Sequence, residues 1–302
     1  MAGTRATGTR TTGTALDAIV KSCRARLDED RRAVPQSALL ERIAVRTPAV
    51  DFAARLRHGR GATPEGARLR LVAEIKRASP SKGVFDASLD AAEQASAYAS
   101  AGAAAVSVLT ERDHFRGSLD DLERARDAVE RSDGPDRPAL LRKDFIFDPY
   151  QVLAARAAGA DALLLIVALL EPAALADLLA LAREHDLEAL IEVHDEAEME
   201  VAASIGARVI GVNNRDLRDF SEDLGTSERL APLAPPNAVL VAESAVRSAE
   251  DARRMAEAGV HAVLVGEALV RPAHGGSSES GSVDIAAKAH ELMLAPAESP
   301  SS

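Results

Sequence analysis

The chain has 302 residues, 47% hydrophobic and 27% charged, with only 3% aromatic, so its core must be built mainly from Ala, Val, Leu and Ile. The length fits one α/β barrel of about 250 residues as readily as two smaller domains. A net charge of −11 excludes a general nucleic-acid-binding role, and the one cysteine, Cys23, excludes an internal disulfide framework.

The opening MAGTRATGTRTTGTALD carries no apolar signal-peptide core, and its Arg and Thr content only superficially resembles a transit peptide. Residues 1–14 read as a disordered tail. No run reaches the roughly 18 to 20 apolar residues of a membrane span, so no membrane partner is expected and a cytoplasmic location is the default. Residues from about 15 to 60 read as a helical extension, with Cys23 on it as a structural residue. Eight apolar runs follow, at roughly 69–76, 104–109, 139–144, 162–167, 188–193, 208–213, 238–243 and 262–266. Each is followed by a helical pattern, and most of these open on the Asp, Glu or Ser that suits a helix N-terminus. One phrase recurs: an Ala-rich helix, then Gly102, Gly159, Gly206 or Gly259, then an aliphatic run. Gly ends a helix and sends the chain into a buried strand, so the repetition is the rhythm of strand–helix units. GGSSESGS at 275–282 is a flexible loop before a last helix, and 296–302 is a second tail. An open doubly wound sheet would have fewer strands and a Gly-rich dinucleotide turn, and no G-x-G-x-x-G is present. The expected fold class is therefore α/β, a single (β/α)8 TIM barrel spanning 15–295 with its N-terminal helical extension.

In such a barrel chemistry sits at the C-terminal ends of the strands. Polar residues interrupt the apolar runs at those ends. The first strand offers Glu74 and Lys76, two apart and so on one face. Later strands offer Lys143, Glu192, Asn213 with Arg215, and Glu243 with Ser244. A plain core would avoid so many charges, because burying them unpaired is expensive.

These stretches resemble indole-3-glycerol phosphate synthase. The matches are AEIKRASPSKG from Ala73, LRKDFIFDPYQ from Leu141, GADALLLIVALL from Gly159, IEVHD from Ile191, GVNNRDL from Gly211, VAES from Val241 and VLVGEAL from Val263. They run in the family's order, and the helical segment from Leu16 looks like the family's extension across the barrel mouth. The resemblance implies a phosphorylated small-molecule substrate, 1-(2-carboxyphenylamino)-1-deoxyribulose 5-phosphate. It implies ring closure with loss of CO₂ and water, no cofactor and no metal. Carried over by position, Lys143 matches the general acid and Glu192 the general base. Lys76 matches the residue that holds the substrate carboxylate, with Glu74 beside it. Asn213 and Arg215 match network and substrate-binding positions, as do Phe145, Leu164 and Glu243. Ser79, Ser244, Gly266 and Glu267 match the phosphate region. A monomer or weak homo-oligomer is expected.

The chain departs from the pattern at Glu243-Ser244-Ala245, where the family commonly has Gly third. If that position needs a positive φ, Ala costs about 1 kcal/mol of strain; if not, Ala is harmless. SDGPDRPALL from Ser132 is also long, but at the opposite end of the barrel. His114, His185 and His194 show no ligand spacing and read as bystanders, and ERARDAVERSD reads as a solvated helix face. Two other readings compete: a Schiff-base or isomerase barrel using Lys143, and a non-catalytic barrel that only binds a phosphorylated metabolite.

Overall fold

Eight parallel strands close on themselves in chain order, which establishes the (β/α)8 barrel. A computed structural model describes residues 8–80, 82–270 and 284–295. The strands are β1 Arg70–Ile75, β2 Ala105–Leu109, β3 Ala139–Lys143, β4 Ala162–Ile166, β5 Glu188–Val193, β6 Val209–Asn213, β7 Val239–Glu243 and β8 Ala262–Val265. They are buried on both faces, as aliphatic runs wrapped by helices must be. Three helices precede them: α1 Ala15–Ala33, α2 Gln36–Ala44 and α3 Phe52–His58. The outer ring comprises α4 Ala91–Ser100, α5 Leu119–Asp133, α6 Pro149–Ala158, α7 Pro172–Glu184, α8 Glu196–Ser204, α9 Gly225–Leu230 and α10 Ala249–Glu257. A single turn, α11 Glu267–Val270, and α12 Ile285–Leu294 complete it.

The local signals hold physically. Asp90, Ser118, Asp148, Asp195 and Ser248 each accept a first-turn backbone N–H, so these helices start where the sequence offers a cap. The repeated Gly102, Gly159, Gly206 and Gly259 have φ of 86°, 92°, 70° and 85°. A side chain there would strain the left-handed turn from helix into strand.

The extension ties to both ends of the barrel. At the mouth, the Tyr150 hydroxyl reaches Asp30 O and Val34 O at 2.9 and 2.8 Å, and Arg31 pairs with Asp148 at 2.6 Å. At the far end, buried Asp161 accepts two N–H groups of Arg137 at 2.6 and 2.9 Å. It also accepts the backbone N–H of Leu140 at 2.7 Å and of Val50 at 2.8 Å. The SDGPDRPALL stretch thus supplies a structural arginine.

One boundary differs from expectation. Residues 8–10, read as tail, pair with the chain beyond β4: Arg10 N–H donates to Leu169 O, and Glu171 N–H to Gly8 O. Backbone pairing of this kind leaves no trace in composition. Residues 1–7, the 275–282 loop and the 296–302 tail lie outside the described residues. Among the described residues no helix is long and apolar enough to cross a membrane.

Candidate active site

A cavity of about 540 Å³ opens at the C-terminal end of the barrel, and every residue expected at the site lines it. Alternation along the strands explains the convergence. Glu74, Lys143, Glu192, Asn213 and Glu243 occupy inward positions at or near the ends of β1, β3, β5, β6 and β7. In register, Asn213 lies opposite Glu243, and Glu192 opposite Gly211.

Lys143 is the centre of the charge cluster. Its Nζ lies 3.3 Å from Glu243 Oε2 and 3.7 Å from Glu192 Oε2. Burial alone would depress this ammonium, but Glu243, Glu192 and Glu74 outweigh it and hold the group above the ordinary lysine range. Burial pushes Glu192 up, yet the His194 ring 3.4 Å away and the Lys143 charge keep it below the ordinary carboxylate range. Glu74 is likewise held down, against its burial, by Lys76 at 2.5 Å and by Lys143. Glu243 goes the other way: burial, with Glu192 and Glu74 adding repulsion, raises it despite Lys143. Expected in the substrate-binding group, Glu243 stands within the charge cluster itself.

Asn213 Oδ1 accepts the Ser244 hydroxyl at 3.0 Å and the Arg215 backbone N–H at 3.1 Å. The Arg215 guanidinium is held by Glu222 at 2.5 Å. On the opposite wall, the rings of Phe115 and Phe145 lie 6.1 Å apart at 39°, beside Leu109 and Leu164. Together they form an apolar part of the cavity lining. At the other end Ser79, Ser244, Gly266 and Glu267 gather around the start of α11, with Lys82 bonded to Glu267 at 2.6 Å.

The family model described as indole-3-glycerol phosphate synthase matches residues 16–277. The chain belongs to this family. It is 48% identical over 246 residues to the indole-3-glycerol phosphate synthase of Dehalococcoides mccartyi strain CBDB1, covering 82% of this chain and 86% of that protein. Indole-3-glycerol phosphate synthase 2 of Streptomyces coelicolor is 51% identical over 254 residues, covering 84% and 93%. Among solved structures, a thiamine phosphate pyrophosphorylase from Pyrococcus furiosus superposes with a TM-score of 0.52 at 18% identity, covering 76% of this chain and 96% of that one. That likeness speaks to the fold alone.

For a member of the indole-3-glycerol phosphate synthase family, two features of the site went unread in the sequence. Phe115 lines the cavity beside Phe145, whereas Leu16 and Ile19 of α1 roof it as the expected extension across the mouth implies. His194, read as a bystander, packs against Glu192 at 3.4 Å. His194 stands just past the end of β5, two residues after Glu192, and that spacing was the available signal.

Ser244 and Ala245 have φ of 63° and 65°, which resolves the open question at the family's glycine position. Ala245 is strained by about 1 kcal/mol, offset in part by the greater unfolded-state freedom of Gly. Ala245→Gly should therefore raise Tm by up to about 2 °C. It should change kcat by less than about threefold and leave KM equal or lower, because the relieved backbone can approach an anion more closely. Calorimetry and substrate titration, with inorganic phosphate as competitor, check both. A rise in KM would give the Ala245 methyl a packing role.

Proposed function

We propose that the chain closes the indole ring of 1-(2-carboxyphenylamino)-1-deoxyribulose 5-phosphate, with Lys143 as general acid and Glu192 as general base. At the coarser level it is a carboxy-lyase of tryptophan biosynthesis. The observation that carries the finer reading is Lys143, an ammonium flanked by three carboxylates in the cavity that Phe115 and Phe145 also line.

The substrate's anthranilate ring lies against Phe115 and Phe145, its carboxylate toward Lys76, and its phosphate near Ser79, Ser244 and the Gly266 and Glu267 N–H groups. As the aryl carbon attacks the ketone carbon, negative charge grows on the ketone oxygen, and Lys143 delivers the proton that neutralises it. Glu74 steadies the positive charge that the anilino nitrogen gains on attack. Loss of CO₂ returns the electron pair of the broken C–C bond to the ring system. Dehydration then needs a base to remove a proton as hydroxide departs, and Glu192, ionised and inward-facing, stands ready. An amine kept protonated is a poor carbonyl nucleophile, so the geometry favours this reading over a Schiff-base barrel. The purified protein should generate indole fluorescence from this substrate in the presence of EDTA. Absence of product, or a strict need for one divalent ion, would overturn the reading.

Gly211 gives this arrangement a further test. A Cβ there would lie 2.1 Å from Glu243 Oε1, so only Gly lets that carboxyl sit beside Lys143. Because the obstructing atom ends a flexible side chain, Gly211→Ala should fold but displace the Glu243 carboxyl. A misplacement of that size should lower kcat by about a hundredfold, with circular dichroism unchanged. Normal turnover would show that Glu243's position does not matter.

A further inference from the structure

The ring of His194 sits between two carboxylates. Its Nε2 lies 3.4 Å from Glu192 Oε1, and its Nδ1 lies 3.0 Å from Glu198 Oε2. The Glu198 oxygen is fixed in turn, accepting the His194 backbone N–H at 2.8 Å in the first turn of α8. The other oxygen of Glu192, Oε2, is the one facing Lys143. His194 does not line the cavity, so any effect it has on the reaction passes through Glu192.

We infer that His194 is a positioning residue for Glu192: its imidazolium, anchored by Glu198, holds Oε1 from behind and turns Oε2 toward Lys143 and the substrate. The inference builds on the assignment of Glu192 as base. Neutral imidazole has one N–H and one lone pair, so between two carboxylates it would repel one of them; only the doubly protonated ring satisfies both. Burial alone would lower the histidine, but Glu192 and Glu198 raise it to about 10. The groups around the relay are Glu198 from α8 and Asp216 beyond β6, the latter paired with Arg218. Lys143 on β3, Asn213 on β6 and Glu243 on β7 face Glu192 from the cavity side.

The chemistry gives the device a purpose. When Lys143 donates its proton to the ketone oxygen, Glu192 loses one of its two cationic neighbours in mid-reaction. The His194 charge remains, so the carboxylate stays ionised and available for the later dehydration.

The test is the pH profile of the single-turnover rate for the native chain, His194→Gln and His194→Leu, with Glu192→Gln alongside. Gln keeps a donor but no charge, and Leu keeps neither. Loss of a nearby opposite charge should move the acidic limb up by about 1 unit or more in both His194 variants. The plateau should fall at least tenfold further in Leu than in Gln. A limb that stays in place, or a loss of Tm with an unchanged profile, would overturn the inference while leaving Glu192 as base. Normal turnover in Glu192→Gln would remove the base assignment itself, and this inference with it. Should neither His194 variant fold, the imidazole ¹⁵N resonances of the native chain and of Glu198→Gln decide. A ring doubly protonated at pH 8, losing its proton at lower pH once Glu198 is neutralised, supports the relay; a neutral ring at pH 8 refutes it.

Discussion

Lys143→Ala is expected to lower kcat by about a hundredfold or more, since general acid catalysis is typically worth 10² to 10⁴. Among the described residues, each other cation lining the cavity is engaged by a carboxylate. Lys76 is engaged by Glu74 at 2.5 Å, and Arg215 by Glu222. The variant should still fold, because the excess negative charge has an outlet. Glu243 is already raised above the ordinary carboxylate range, so without Lys143 it can take up a proton rather than strain the barrel. Circular dichroism should match the native chain, and Tm at neutral pH should move little. Borohydride reduction with substrate should trap no adduct on native Lys143, which is held protonated. Near-normal turnover in Lys143→Ala would place the acid elsewhere, and a trapped adduct would revive the Schiff-base alternative.

The sequence carried the barrel because barrel formation is written in local signals. Asp148 and Pro149 open α6, Gly159 closes it, and 162–167 is aliphatic because β4 is covered on both faces. Polar residues at inward positions of such strands are legible for the same reason, since they violate the rule that their neighbours obey. Lys143, Glu192 and Glu243 stand out against the Leu, Ile and Val around them. What the sequence did not show arises from contacts between distant segments. Phe115 matters because its loop brings it against Phe145. The pairing of residues 8–10 with the chain after β4 is made by backbone groups that every residue carries. His194 lies between these cases. Its spacing from Glu192 was visible, but its anchor, Glu198, becomes apparent only once α8 folds back over the strand end.

Glu192→Gln should lower kcat by about 10² to 10⁴ while changing substrate affinity far less. The amide keeps the shape of the carboxylate, so binding contacts survive. Only proton removal is lost, and that loss is felt in the transition state rather than in the bound ground state. The charge state sharpens the test. A carboxyl held below its unfolded value of about 4.3 contributes stability that is present above that pH and is lost as pH falls through the folded value. Glu192 is such a group, whereas Gln is uncharged throughout. The difference in Tm between the native chain and the variant should therefore shrink on acidification below about pH 4. Two measurements follow from one substitution: saturation kinetics at neutral pH, and melting curves from neutral pH downward. If kcat falls and the Tm gap narrows in acid, Glu192 is an ionised carboxylate that acts in the reaction. If the gap narrows but kcat is unchanged, the carboxylate belongs to the electrostatics of the barrel, and the base must be sought at Glu74.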